Sequence, residues 1–342
     1  MSIFSNIGAN LAQASRQFGS ADAAERSGQD GPLSPRDLPA PGAGNVRVMT
    51  WNLGQGASFT NGGGVDHHQL DTVARDIADS GADVVMVQEI YRNDLTTLER
   101  ELEAATGREV YVTFSDASTK RRFDERNPFS IFRAAAGEDF GNAVISFAPQ
   151  EEIVDQHLTH DGDEGRTVLG VEIDVGGQPV RLYTTHVTSQ GTQEVLPETG
   201  PPTGTTTTTL PGDLPPLEPA PTIHDPQVAQ IGEVFATADG DGPMILGGDF
   251  NVALDASRPS AATINTFDDF GYTDAAADAG PTSDQGEGRR IDYVFTEGVD
   301  VVRSYVMEAG PSDHAAVVVD VRIPGASPGA GSGGGGGGST FW

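Results

Sequence analysis

Cysteine is absent from the 342 residues, which excludes disulfides, cysteine-ligated zinc and thiol catalysis. Basic residues are scarce: 20 Lys and Arg stand against 50 Asp and Glu, a formal charge of −30. A field of that sign repels polyanions at long range. It argues against non-specific coating of nucleic acid, yet stays compatible with a local basic groove or a metal-bridged site. No apolar run is long enough to span a bilayer. The first residues, MSIFSNIGANLAQASRQFG, lack the basic and apolar regions of a secretory signal. The expectation is a monomer, cytoplasmic rather than exported by a non-classical route.

Glycine and proline, 44 and 22 residues, are plentiful and gathered in a few places. Residues 1–44 read as a disordered N-terminal tail, with a short amphipathic helix conceivable over 3–18. Residues 189–226 collapse into Gly, Pro and Thr, including the run 205–209, and read as a flexible insertion with too little apolar content for a core. Residues 324–342 read as a Gly-rich tail ending Ser-Thr-Phe-Trp. One domain, 45–323, remains between the tails.

The domain opens with an alternating strand, 46–52, ending in Asn52. A helix capped by Asp66 carries Leu70, Val73, Ala74 and Ile77 on one face and stops at Gly81. The apolar strand 83–89 then ends, unusually, in Glu89. This β–α–β order favours a parallel pair, whose carboxyl edge is where ligands bind in α/β sheets. A helix over 94–105, strands over 110–114 and 141–147, a hairpin turning at Gly176-Gly177 and a helix over 227–236 follow. Met244-Ile245-Leu246 leads into Gly247-Gly248-Asp249-Phe250-Asn251, where alternation points Asp249 and Asn251 to one side. The two glycines there let backbone or ligand approach closely. The last expected strands are 291–295 and 315–321.

Strand ends thus repeatedly deliver polar residues: Asn52, Glu89, His186, Asp249, Asn251, Asp292 and the pair Asp313-His314. One such carboxylate is ordinarily a cap or ion-pair partner. Several together repel unless a cation or proton intervenes. Oxygen donors without cysteine, and with sparse histidine, favour Mg²⁺ or Mn²⁺ over zinc. His157, His160 and His224 read as surface loop residues, Asp274 as a turn or helix cap, and His67 and His68 as either exposed or near substrate.

In chain order, VRVMTWNLGQG, DVVMVQE, GNAVIS, LYTTH, ILGGDFN, RRIDYVF and SDHAAVVV resemble the endonuclease/exonuclease/phosphatase superfamily, the DNase I-like phosphodiesterases, over residues 46–322. The resemblance implies a four-layered α/β/β/α sandwich of two mixed β-sheets flanked by helices, and phosphoester hydrolysis by in-line attack of water. It implies Glu89 as the principal metal ligand, with Asn52 and Asp313, and Asp249 as the group that orients or deprotonates the water. Asn251 and Asn142 would contact the phosphate. His314, kept cationic by Asp292, would face the phosphate, and His186 would donate to phosphate or protonate the leaving oxygen. Where many members carry Arg after GNAVIS, Phe147 stands here.

The resemblance leaves the phosphoester open. Between 115 and 139, Lys120, Arg121, Arg122, Arg126 and Arg133 interleave with Phe123, Phe129 and Phe132. That segment fits contacts to a DNA backbone, with Lys120, Arg121 and Arg122 as candidate phosphate contacts. It fits a solvated loop balanced by Asp124 and Glu125 equally well. The first expectation is a DNA endonuclease, and the alternative a phosphoesterase for a lipid headgroup or other small substrate. A lipid substrate lacks support from any signal sequence or exposed aromatic hairpin.

Overall fold

The computed structural model describes residues 31–55, 65, 68–117, 139–159, 165–189, 194–195, 223–254, 259–283, 288–308 and 310–327. Their strands are β1 Val46–Asn52, β2 Val84–Tyr91, β3 Tyr111–Asp116, β4 Phe140–Ser146, β5 Gln150–His157, β6 Thr167–Val175, β7 Gln178–His186, β8 Glu194–Val195, β9 Ile223–His224, β10 Met244–Asp249, β11 Thr273–Asp274, β12 Asp292–Glu297, β13 Asp300–Met307 and β14 Ala316–Arg322. The helices are α1 Leu70–Ser80, α2 Arg92–Thr106, α3 Pro226–Ala238 and α4 Pro259–Ile264.

Two six-stranded mixed sheets result. The first runs β13-β14-β1-β2-β4-β3 and the second β11-β12-β10-β7-β6-β5. Period-two alternation assigns each strand's faces. In β1, Val46 and Val48 look between the sheets, while Met49 and Trp51 look toward the helices. Val84, Met86, Leu169, Val171, Leu182, Ile245 and Val294 complete the inter-sheet core. On the outer face of the first sheet, α1 lays down Leu70, Val73, Ala74 and Ile77, and α2 lays down Leu95, Leu98 and Leu102. On the outer face of the second, α3 buries Ile231, Val234 and Phe235 among Phe250, Tyr272 and Phe295. The order helix, sheet, sheet, helix is the sandwich expected.

The helix boundaries follow local chemistry. Helix α1 ends at Gly81, which takes φ +70 as a left-handed cap. Helix α3 begins where the Asp225 carboxylate accepts from the amides of Gln227 and Val228, with Pro226 in the first turn. Asp66, the expected cap of α1, lies outside the described residues, as does most of the Pro/Thr-rich insertion. The ends of that insertion meet, Glu194 opposite His224 and Val195 opposite Ile223.

The expected strands need correction. Strands β5 and β13 were legible as neither strand nor hairpin, because edge strands of this composition show no clean alternation. His157 is consequently the exposed end of β5, not a loop residue. Asp274, expected as a turn or helix cap, ends the short strand β11 and does cap the following turn, accepting from the Ala276 amide and pairing with Arg290. Residues before 45 also pack on these elements. Leu33 exchanges backbone hydrogen bonds with Val306 and Glu308, Leu38 is buried, and the Arg47 guanidinium donates to the Pro39 carbonyl at 2.6 Å.

Candidate active site

Parallel pairing of β1 with β2 and of β7 with β10 brings four strand ends to one edge of the sandwich, where β12 and the approach to β14 also begin. In the second sheet, His186, Asp249 and Asp292 stand opposite one another as one cross-strand row. Row neighbours project to the same face, here toward the first sheet. Across the gap Asn52 donates to Asp249 Oδ2 at 2.9 Å and lies 3.4 Å from Glu89 Oε1. His314 Nε2 is 3.9 Å from Asp249 Oδ2, and His186 Nε2 is 3.8 Å from Glu89 Oε1. Six residues scattered from 52 to 314 therefore share one cleft at the seam between the sheets.

Backbone shape serves the same end. Glu89 and Asn251 are the non-glycine residues with positive φ among those described, +55 and +54. Each left-handed residue costs roughly 1–2 kcal/mol, and such strain gathers at functional sites. At Glu89 it coincides with the register shift of β2 against β4, which carries the carboxylate out of the core to the half-buried rim. At Asn251 it folds the chain back so that its own amide donates to Asp249 Oδ1 at 2.8 Å. Phe250 turns the other way into the aromatic core. The close approach at Gly248 is made by backbone rather than ligand: a Cβ there would lie 2.2 Å from the Thr185 carbonyl oxygen.

A buried polar layer supports the site from beneath. Gln88 donates to Thr50 on the neighbouring strand and to Thr184 across the gap between the sheets. Ser312 donates to the Asn52 carbonyl and accepts from the His314 amide, while Trp51 Nε1 donates to the His314 carbonyl. These bonds fix where β14 enters relative to β1.

The electrostatics divide the two histidines. Burial opposes a charge on His314, but the carboxylate of Asp292 and its 2.9 Å hydrogen bond to Nδ1, with Asp249 and Asp313 behind, push its pKa up to about 10. It is a cation at neutral pH. His186 is the opposite case. Burial first, then the charges of Arg166 and His314, hold it well below the ordinary histidine range. The two histidines of the site thus differ in charge. Burial and the neighbouring Asp292 raise Asp249 to about 7, against the pull of His314 and the hydrogen bonds from Asn52 and Asn251.

The remaining expected residues fall as follows. Asp313 is half-buried beside His314 and adds to its charge. Asn142 is buried, and its amide ties β4 to β6 by donating to Thr167. Asn251 Nδ2 donates to the Val187 carbonyl at 2.9 Å and lies 3.0 Å from His186 Nε2. Lys120, Arg121 and Arg122 lie outside the described residues. His68 is exposed. Phe147 follows Ser146, which pairs with Val84 at the far end of β2, five residues and roughly 17 Å along the strand from Glu89 at ~3.3 Å per residue. It packs under Arg108 there and touches nothing at the site. Arg166, whose guanidinium donates to His186 Nδ1 at 3.1 Å, was missed. The Gly176-Gly177 turn was the signal that could have found it, since a two-residue turn sets the register and brings the start of β6 beside His186.

The donor set suits a hard divalent cation. Asp249, Asp292 and His314 each offer a ligand atom within 4.8 Å of the others. His314, however, is held protonated by the Asp292 carboxylate, which accepts from its Nδ1–H, so the oxygens are the fitting ligands. Asp292 Oδ1 is buried with no hydrogen-bond partner, the condition of an atom that awaits one. Asn52, as placed, turns its NH₂ toward the carboxylates and its oxygen toward the Gly54 amide.

The family model for the Endonuclease/Exonuclease/phosphatase family matches residues 49–314. The chain belongs to this family. Members are hydrolases acting on phosphoester bonds, and the matched span runs from β1 to His314. No curated protein sequence matches the chain. Among solved structures, an endonuclease/exonuclease/phosphatase from Beutenbergia cavernae is similar at 24% identity and TM-score 0.56, covering 82% of this chain and 72% of its own. The human Nocturnin catalytic domain with bound sulfate is similar at 15% identity and TM-score 0.52, covering 82% and 96%. A mannosyl-6-phosphatase from Bacteroides thetaiotaomicron is similar at 14% and TM-score 0.53, covering 81% and 99%. At these identities the likeness is one of fold, the DNase I-like sandwich.

Proposed function

We propose that the seam is a Mg²⁺- or Mn²⁺-dependent phosphodiesterase site that cleaves by in-line attack of water, with DNA as the substrate of an endonuclease. The carrying observation is the meeting of Glu89, Asp249, Asp292 and His314, one half from each sheet, around an oxygen-rich cleft. Glu89 is the principal ligand, with Asn52 joining through its amide oxygen once that group is turned inward. Bound there, the cation supplies Lewis-acid stabilisation of charge on the phosphoryl oxygens. Asp249, with a pKa of about 7, is poised to orient water and take its proton near neutral pH. His314 brings a fixed positive charge to the developing negative charge, and Asp292 keeps it there. Asp313, beside His314, joins Glu89 and Asn52 as a ligand and adds to the charge on His314. Asn251 and His186 donate to the phosphoryl or leaving oxygen.

The DNA reading rests on where the basic segment is anchored. Residues 118–138 leave β3 after Asp116 and rejoin β4 at Phe140. Asp116 faces Gly141, which in turn faces Ile90 beside Glu89. The segment whose sequence holds five cations thus begins and ends on strands that neighbour Glu89. The net charge of −30 favours a second reading, a small phosphoester that a negative field repels less. A substrate panel run on wild type and Glu89→Ala decides between them. Mg²⁺-dependent plasmid nicking, weakened by neutralising Lys120, Arg121 and Arg122, supports the endonuclease. Phosphate or headgroup release with plasmid left intact supports the second reading, and turnover unaffected by Glu89→Ala overturns both.

A further inference from the structure

We propose that Arg166 is a positioning residue for His186, fixing the neutral ring with its proton on Nε2 so that it faces the cleft as a donor. The inference rests on the phosphoester-hydrolase reading for its purpose, but its geometry stands alone. Arg166 sits just before β6 and is 6% exposed. Its NH1 lies 3.1 Å from His186 Nδ1. A guanidinium carries only donors, so Nδ1 must accept and cannot hold the proton.

The other ring nitrogen is contested. Asn251 Nδ2 lies 3.0 Å from Nε2, and a neutral imidazole cannot accept on both sides. Turning the Asn251 amide over would set its oxygen against the Val187 carbonyl, to which Nδ2 now donates at 2.9 Å. One of the two donors must therefore yield. A charge-assisted hydrogen bond is roughly twice as strong as a neutral one, so Arg166 prevails. Nε2–H is then directed toward Asp249 Oδ2 at 3.5 Å and Glu89 Oε1 at 3.8 Å. The second N–H of Asn251 is left for an incoming oxygen. His186 becomes a donor to the substrate and is excluded as a base at Nε2. Arg166 thereby does for one histidine, by donating, what Asp292 does for the other by accepting.

The test reads the ring nitrogens directly. In ¹⁵N-labelled full-length protein, long-range ¹H–¹⁵N correlations, assigned with His186→Gln, report which nitrogen is protonated. Wild type is expected to show Nε2–H alone. Arg166→Lys, which keeps a cationic donor, should retain that pattern. Arg166→Met should add the Nδ1–H form and lower kcat by about 10–100-fold, the usual range for residues that orient a reacting group, with KM little changed. An Nδ1–H ring in wild type overturns the inference, as does a folded Arg166→Met protein with the wild-type pattern. Should Arg166→Met fail to fold, the wild-type and Arg166→Lys spectra decide. An Nε2–H ring in a chain without phosphoesterase activity would support the tautomer assignment and sink the functional reading instead.

Discussion

Asp292 Oδ2 and His314 Nδ1 stand 2.9 Å apart at the floor of the cleft, both buried, and Asp292 is the leading reason that His314 remains charged there. The pair joins the last strand of one sheet to that of the other. Its removal should therefore be read in two quantities, rate and charge.

Substituting His314 by Ala should lower kcat on the order of 10²–10³, the usual cost of one transition-state donor, with circular dichroism unchanged. Asp292→Asn should leave the imidazole present but no longer charged at alkaline pH. In wild type, kcat should hold up to near pH 10 before His314 loses its proton; in Asp292→Asn that limb should move to lower pH. A pH–rate profile over pH 6–11 checks both.

Asp249 carries the opposite sign. Its folded pKa of about 7 lies above the ordinary carboxylate value, so between about pH 4 and 7 the folded state binds the extra proton. Stability from this group falls as pH rises through that window. Asp249→Asn should raise the melting temperature at pH 8 without divalent cation, and abolish turnover. A melt series at pH 5 and pH 8 should show the gain chiefly at the higher pH.

Glu89 is the expected anchor of the cation. Mg²⁺ or Mn²⁺ should raise the wild-type melting temperature by mass action, and chelation should reverse the rise. In Glu89→Gln the shift should be lost while the cation-free melting temperature stays close to wild type. Thermal melts across a metal titration measure this without any substrate.

Away from the cleft, Arg47 and Asp320 form a buried pair at 2.6 Å. Breaking it with Asp320→Asn leaves the guanidinium charge uncompensated, a loss of about 3–5 kcal/mol, with kcat of the folded fraction unchanged. Urea denaturation gives the stability and a single-substrate assay the rate.

The central strands were legible because their alternation is strong. Val46, Val48, Val84 and Met86 face one way, and Met49, Trp51, Val85 and Val87 the other. The polar ends of those strands then marked the candidate site. The edge strands were not legible, since half-exposed residues such as those of β5 obey no strict period. The charge states of the two histidines were equally hidden. A sequence gives His186 and His314 the same imidazole; only packing puts a guanidinium against one and a carboxylate against the other. The packing of residues 33–39 was obscured for a related reason. Residues 33–39 are held by backbone bonds and one buried leucine, which leave no periodic trace.

Asn52, Glu89 and His314 come from one sheet, and His186, Asp249 and Asp292 from the other. Reactive geometry is thus a property of closure, owned by neither leaf alone. A slight parting of the leaves would silence the enzyme while every strand still kept its neighbours, so lost turnover should be the earliest sign of damage to the inter-sheet core.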